Sequence, residues 1–228
     1  MFKYLVLNHI PRCGGSSLKK SIYDGIKDNV YFQQAPAYIS EHTHSNICLY
    51  EKPHLIEAIH TDTLLFVDHS PTFFIENSFK LPIEDTYRIL TLRNPISRII
   101  SHIHFFYNIH INNIAEDVLI NYLEQFGNLT IDYLTKCKFL DISLEQKYKE
   151  AKKIINDYQF CFQVEKQKLC EIFNSSNPFE LHIPNYHINR STIDNIIEIE
   201  ISPKIKNIIY STIKLEIKLL EKYYEMDL

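Results

Sequence analysis

The sequence predicts an α/β protein: a mostly parallel sheet flanked by helices, in three layers. Three observations predict it. Four short runs, Phe2–Asn8 (FKYLVLN), Thr63–Val67 (TLLFV), Tyr87–Leu92 (YRILTL) and Phe160–Val164 (FCFQV), are near-continuously apolar rather than alternating, as strands buried on both faces are. Segments with apolar residues at helical spacing separate them. The first three runs also end in residues that carry chemistry, where ligands bind in such sheets.

The first strand stops at His9-Ile10-Pro11-Arg12-Cys13-Gly14-Gly15-Ser16-Ser17-Leu18. A helix then begins at once, with Leu18, Ile22 and Ile26 at i, i+4 and i+8. A strand, a glycine loop and a helix N-terminus in succession suit a phosphate. The first helical turn carries unpaired N–H groups and partial positive charge. Adjacent glycines allow a close backbone approach and φ > 0. Ser16 and Ser17 add hydroxyl donors, and Arg12 adds a planar cationic fork. No Gly-Lys-Ser/Thr follows the glycines, which disfavours an ordinary P-loop kinase or GTPase.

Further along, Val30–Phe32 reads as a short strand, 33–50 as a polar loop and substrate-side flap, and Pro53–His60 as a short helix. TLLFV ends in Asp68-His69, and YRILTL ends in Arg93-Asn94-Pro95. Pro95 fits helix position N1, and a helix over 95–107 packs through Ile96, Ile99, Ile100 and Ile103. Asn94, Ser97, Arg98 and Ser101 share its other side, as the wall of a ligand site would. Helical patterns cover 115–126 and 145–157, with an irregular stretch containing Tyr133, Lys136 and Lys138 between them. After FCFQV, a helix over Glu165–Phe173 turns Leu169, Ile172 and Phe173 inward. Residues 174–194 form a long loop, and an amphipathic helix runs from Pro203 through Leu220.

The 228 residues suffice for one domain with a substantial core, and no flexible linker interrupts them, so 1–228 reads as a single domain. Hydrophobic content of 45% and charged content of 23% are those of an ordinary globular protein. A net charge of −4 argues against a general nucleic-acid binder. Five cysteines without a CxxC pair point to a reducing, cytoplasmic setting rather than to disulfides or zinc. No stretch resembles a signal peptide or approaches the length of a membrane span. The HxH pairs His42/His44 and His102/His104 lack a carboxylate cluster, and no metal is expected.

The segment from His9 to Leu18 resembles the 5′-phosphosulfate loop of carbohydrate-type sulfotransferases, such as the heparan sulfate 2-O-sulfotransferases. These enzymes use 3′-phosphoadenosine 5′-phosphosulfate (PAPS) and release PAP. Leu92–His102 resembles that family's 3′-phosphate motif, in which a strand-end Arg and a helix Ser hold the 3′-phosphate. Val67-Asp68-His69 resembles its strand-end base; Val164-Glu165-Lys166 and the late loop with Asn189 and Ser191 are weaker echoes. Arg12 stands where the family usually has Lys, and Asn94 where it usually has Asp. The resemblance implies a P-loop-like sulfotransferase fold. It implies 5′-phosphosulfate binding by Arg12, Cys13, Gly14, Gly15, Ser16 and Ser17, and 3′-phosphate binding by Arg93 and Ser101. It further implies closure over the nucleotide by Asn189, Arg190 and Ser191, His69 as base, and Arg12 stabilising the leaving phosphate. The acceptor is expected to be a hydroxyl, of a saccharide in first place, with Tyr107, Tyr133 and Lys136 as candidates beside it. A nucleotide-dependent phosphotransferase, which magnesium dependence would distinguish, and a non-catalytic nucleotide- or partner-binding domain are the competing readings.

Overall fold

A computed structural model of the chain describes residues 4–14, 18, 37–39, 64–68, 81–135, 142–163, 169–178, 182 and 200–224. Among these residues the strands are β1 (Tyr4–His9), β2 (Ala37–Ile39), β3 (Leu64–Asp68), β4 (Thr86–Leu92) and β5 (Phe160–Gln163). The helices are α1 (Pro95–Tyr107), α2 (Glu116–Phe126), α3 (Leu129–Thr135), α4 (Leu144–Ile154), α5 (Leu169–Ser176), α6 (Pro203–Thr212) and α7 (Lys214–Leu220). The chain divides into two compact units, Met1–Leu92 with Asp157–Asn189, and Arg93–Asn156 with Arg190–Leu228.

The first unit holds a five-stranded sheet in the order β2-β3-β1-β4-β5, with every described pair parallel. Its central strands are buried as the continuous apolar runs require: Leu5, Val6, Leu7, Ile89, Leu90 and Leu92 have no exposed surface. At one edge, Phe173 of α5 packs on Phe160 and Phe162 of β5 and meets Tyr87 edge-on. Phe173 takes the sheet-facing position, so Ile172, one step around the helix, faces solvent at 51% exposure rather than turning inward. β2 lies within 33–50, the segment read as a polar loop; it is three residues long and, among the described residues, pairs with β3. The expected strand at Val30–Phe32 and the expected helix at Pro53–His60 lie outside the described residues.

The second unit is helical. Asn94 caps α1, its side-chain oxygen accepting from the N–H groups of Ile96 (2.9 Å) and Ser97 (3.2 Å), with Pro95 in the first turn. The helix ends at Asn108, which adopts the left-handed conformation at φ 53°. Its isoleucines Ile99, Ile100 and Ile103 join Leu119, Tyr122 and Leu123 of α2 and Ile205, Ile209, Ile213 and Ile217 of the C-terminal segment in one core. Asn112 ties the entry of α6 to this core, donating to Glu200 and accepting from the Ser202 N–H.

Two expectations are corrected in this unit. Tyr133 lies in a helix, α3, and is buried; the region is not irregular there. The C-terminal helix breaks at Ile213, whose backbone (φ −103°, ψ 25°) leaves helical geometry between α6 and α7. Gly127 packs against that break. A Cβ there would lie 2.4 Å from the Leu123 carbonyl oxygen and 2.7 Å from Ile213 Cγ2, so no other residue fits without displacement.

Candidate functional site

The strand register explains why the informative loops belong together. His9 of β1 lies opposite Thr91 of β4, and Asn8 lies opposite Asp68 of β3. The chain therefore leaves β1, β3 and β4 at one level of the sheet's carboxyl edge. The chain passes from β1 to strands on one side and from β4 to β5 on the other. Between β1 and β4 the connections thus diverge, which is the topological switch point where open parallel sheets bind ligands.

Beyond β1 the backbone is fixed residue by residue. The Ile10 N–H donates to Thr91 Oγ1 at 3.2 Å, and the Cys13 N–H donates to the Ile10 carbonyl at 3.0 Å. Ile10-Pro11-Arg12-Cys13 is therefore a hydrogen-bonded turn. Pro11 cannot adopt positive φ, whereas Arg12 does so at φ 65°, which makes this a type II turn. The left-handed position of such a turn favours glycine; an arginine occupies it at a cost of about 1–2 kcal/mol. Gly14 follows at φ 70°, and its carbonyl accepts from the Leu18 N–H at 3.1 Å, an α-helical bond. Ile10, Cys13 and Leu18 are buried, and Arg12 is half-buried. Gly15, Ser16 and Ser17 lie outside the described residues.

His69 follows β3 directly and also lies outside the described residues, as do Asn189, Arg190 and Ser191. Arg93 and Asn94 follow β4 and open the second unit. Asn94 in place of Asp keeps the acceptor that the helix cap needs. Ser101 is buried in α1.

The polar side of α1 is not the uniform ligand wall the spacing predicts. Arg98 is 1% exposed and turns into the second unit, where it donates to the carbonyls of Phe126 (3.2 Å) and Gly127 (2.7 Å) at the end of α2. Glu216 lies 3.6 Å away and accepts from the N–H groups of Thr130 (2.9 Å) and Ile131 (3.1 Å) in the first turn of α3. A cation thus meets the negative end of one helix and a carboxyl the positive end of the next. Burial pushes the Glu216 carboxyl above its ordinary range, while Arg98 and the donors from Thr130 and Ile131 pull it back.

His102 is likewise a core residue. Its Nδ1 is 2.7 Å from the Tyr122 hydroxyl, and its ring meets Phe106, Tyr122 and Phe126 edge-on. Burial raises the Tyr122 phenol well above its ordinary value, so the hydroxyl keeps its proton. Among the described residues, no three His, Cys, Asp or Glu side chains are grouped to hold a metal ion. No described helix is long and apolar enough to cross a membrane.

Sequence reasoning missed Thr91. The available signal was a hydroxyl in a strand with all seven residues buried, since a buried hydroxyl needs a hydrogen-bond partner. It also missed Glu216, read only as part of an amphipathic helix.

The sequence matches no protein-family description and no protein of curated function. Among solved structures, the chain is similar to a sulfotransferase from Alicyclobacillus acidocaldarius. The alignment covers 100% of this chain and 97% of that one, at 10% sequence identity and a TM-score of 0.49.

Proposed function

We propose that the chain is a PAPS-dependent sulfotransferase that transfers a sulfuryl group to a hydroxyl, of a saccharide in first place. One observation carries the reading. The segments resembling the 5′-phosphosulfate loop, the strand-end base and the 3′-phosphate motif all depart from β1, β3 and β4 at one level around the switch point. Parallel strands share that edge by geometry; what supports the reading is that these three segments stand at the ends of neighbouring strands, beside the switch point.

In this reading the turn at Arg12, Cys13 and Gly14, continued by Gly15, Ser16 and Ser17, holds the 5′-phosphosulfate through backbone N–H groups and hydroxyls. Arg93 and Ser101 hold the 3′-phosphate, and Asn189, Arg190 and Ser191 close over the nucleotide. His69 takes the proton of the acceptor hydroxyl as its oxygen attacks sulfur. The bond between sulfur and the bridging oxygen breaks in line, and the guanidinium of Arg12 offsets the charge developing on the departing phosphate. No metal is needed, because cationic side chains and helix amides supply the charge stabilisation. A P-loop-like relation of turn to helix, a sheet covered on both faces and a cytoplasmic setting belong to the same reading.

The test is transfer from PAPS to a panel of saccharide hydroxyls, followed as PAP release in the presence of EDTA. Acceptor-dependent release is expected, and His69→Ala should abolish it while PAP still binds. Failure to sulfate any hydroxyl acceptor, or turnover unchanged in the His69 variant, overturns the respective part of the mechanism.

A further inference from the structure

Thr91 sits at the last rung of the β1–β4 ladder, opposite His9, and is 1% exposed. One residue later β1 has left the ladder, and the Ile10 N–H finds its acceptor in a side chain, Thr91 Oγ1, instead of a strand carbonyl. The Ile10 carbonyl is engaged in turn by the Cys13 N–H, and its side chain has no exposed surface. Ile10 is thus held at its donor, its acceptor and its side chain. Arg12 and Gly14, the two left-handed residues of the turn, follow within four positions of it. A threonine in a wholly buried strand is otherwise a poor choice: valine has nearly the same shape and no hydroxyl to desolvate.

From this we infer that Thr91 is a positioning residue for the anion-binding turn. Its hydroxyl fixes where the chain peels from the sheet, and so where the amides and the Arg12 guanidinium stand relative to the 5′ end of the nucleotide. It touches no ligand itself. The inference rests on the sulfotransferase reading, and it adds a determinant that the resemblance does not contain.

The experiment is calorimetric titration of PAP, 5′-AMP and 3′-AMP into the wild type, Thr91→Val, Thr91→Ser and Thr91→Cys, well below each protein's unfolding temperature. Thr91→Val should weaken PAP and 5′-AMP by about tenfold, the scale of one lost hydrogen bond, and leave 3′-AMP nearly unchanged. Thr91→Ser restores the acceptor and should restore affinity, and Thr91→Cys, a weak acceptor of similar size, should fall between. A loss of stability alone would not separate the 5′ from the 3′ nucleotide. Equal losses for all three nucleotides, or wild-type affinity in Thr91→Val, overturn the positioning role. If Thr91→Val does not fold, Thr91→Cys is judged by the same criteria. A wild type that binds PAP no better than either monophosphate removes the sulfotransferase reading and the role of Thr91 with it. A wild type that prefers PAP beside an unaffected Thr91 variant removes the role of Thr91 alone.

Discussion

Arg12 occupies a backbone conformation at φ 65° that glycine would adopt without strain, and it does so in a type II turn whose other special position is filled by proline. Strain of this kind persists where the side chain is needed. The consequence is a separation of stability from binding. Arg12→Gly should keep or raise stability, by up to about 1 kcal/mol, because it relieves the left-handed penalty. On the proposed function the same variant should weaken PAP by about tenfold or more, because it would lack the charge-assisted contact to phosphate. Urea unfolding and nucleotide titration on the one variant check both halves. A protein both less stable and undiminished in affinity would make Arg12 a structural residue. Gly14, at φ 70°, differs in kind: there the glycine itself relieves the backbone.

At the level of elements, the junction between α2 and α3 is closed from both sides by charges from distant segments. Arg98 of α1 takes the carbonyls ending α2, and Glu216 of α7 takes the amides opening α3. Removing either partner leaves a buried charge or bare helix ends, so Glu216→Ala should cost about 3–5 kcal/mol. The pH dependence follows from burial. The folded-state pKa of Glu216 lies above its ordinary 4.5, so the folded chain holds that proton more tightly than the unfolded chain. Its contribution is fully present below the ordinary value and declines as pH rises through the folded-state value. Glu216→Gln, which cannot ionise, should lack that decline. Urea unfolding of both proteins across pH measures the difference, and parallel profiles would show that Glu216 does not titrate with a raised pKa. The same junction shows what sequence cannot convey. α3 has little helical signal of its own; its opening amides are satisfied by a residue 86 positions away, so the stretch reads as irregular until the contact is known.

Across the whole molecule, sequence was informative where information is local. Continuous apolar runs located β1, β3, β4 and β5 to within two residues, and Asn94-Pro95 located the start of α1. The common level of the three strand ends was also legible, because parallel strands with short exits must emerge on one edge. What failed depends on partners. The three residues of β2 are a strand only because β3 pairs with them, and Arg98 reads as a ligand-wall residue until Glu216 and the Gly127 carbonyl are placed beside it. Thr91 reads as one more strand former until the Ile10 N–H is seen to need it. The proposed function requires that a nucleotide phosphorylated at both ends of its ribose depend on Arg93 for its 3′-phosphate. Its most direct test is titration of PAP and 5′-AMP into the wild type and Arg93→Ala. The wild type is expected to prefer PAP, and Arg93→Ala to lose this preference while binding 5′-AMP as before. Equal affinity of the wild type for the two nucleotides, or a preference for PAP that survives the substitution, would contradict it.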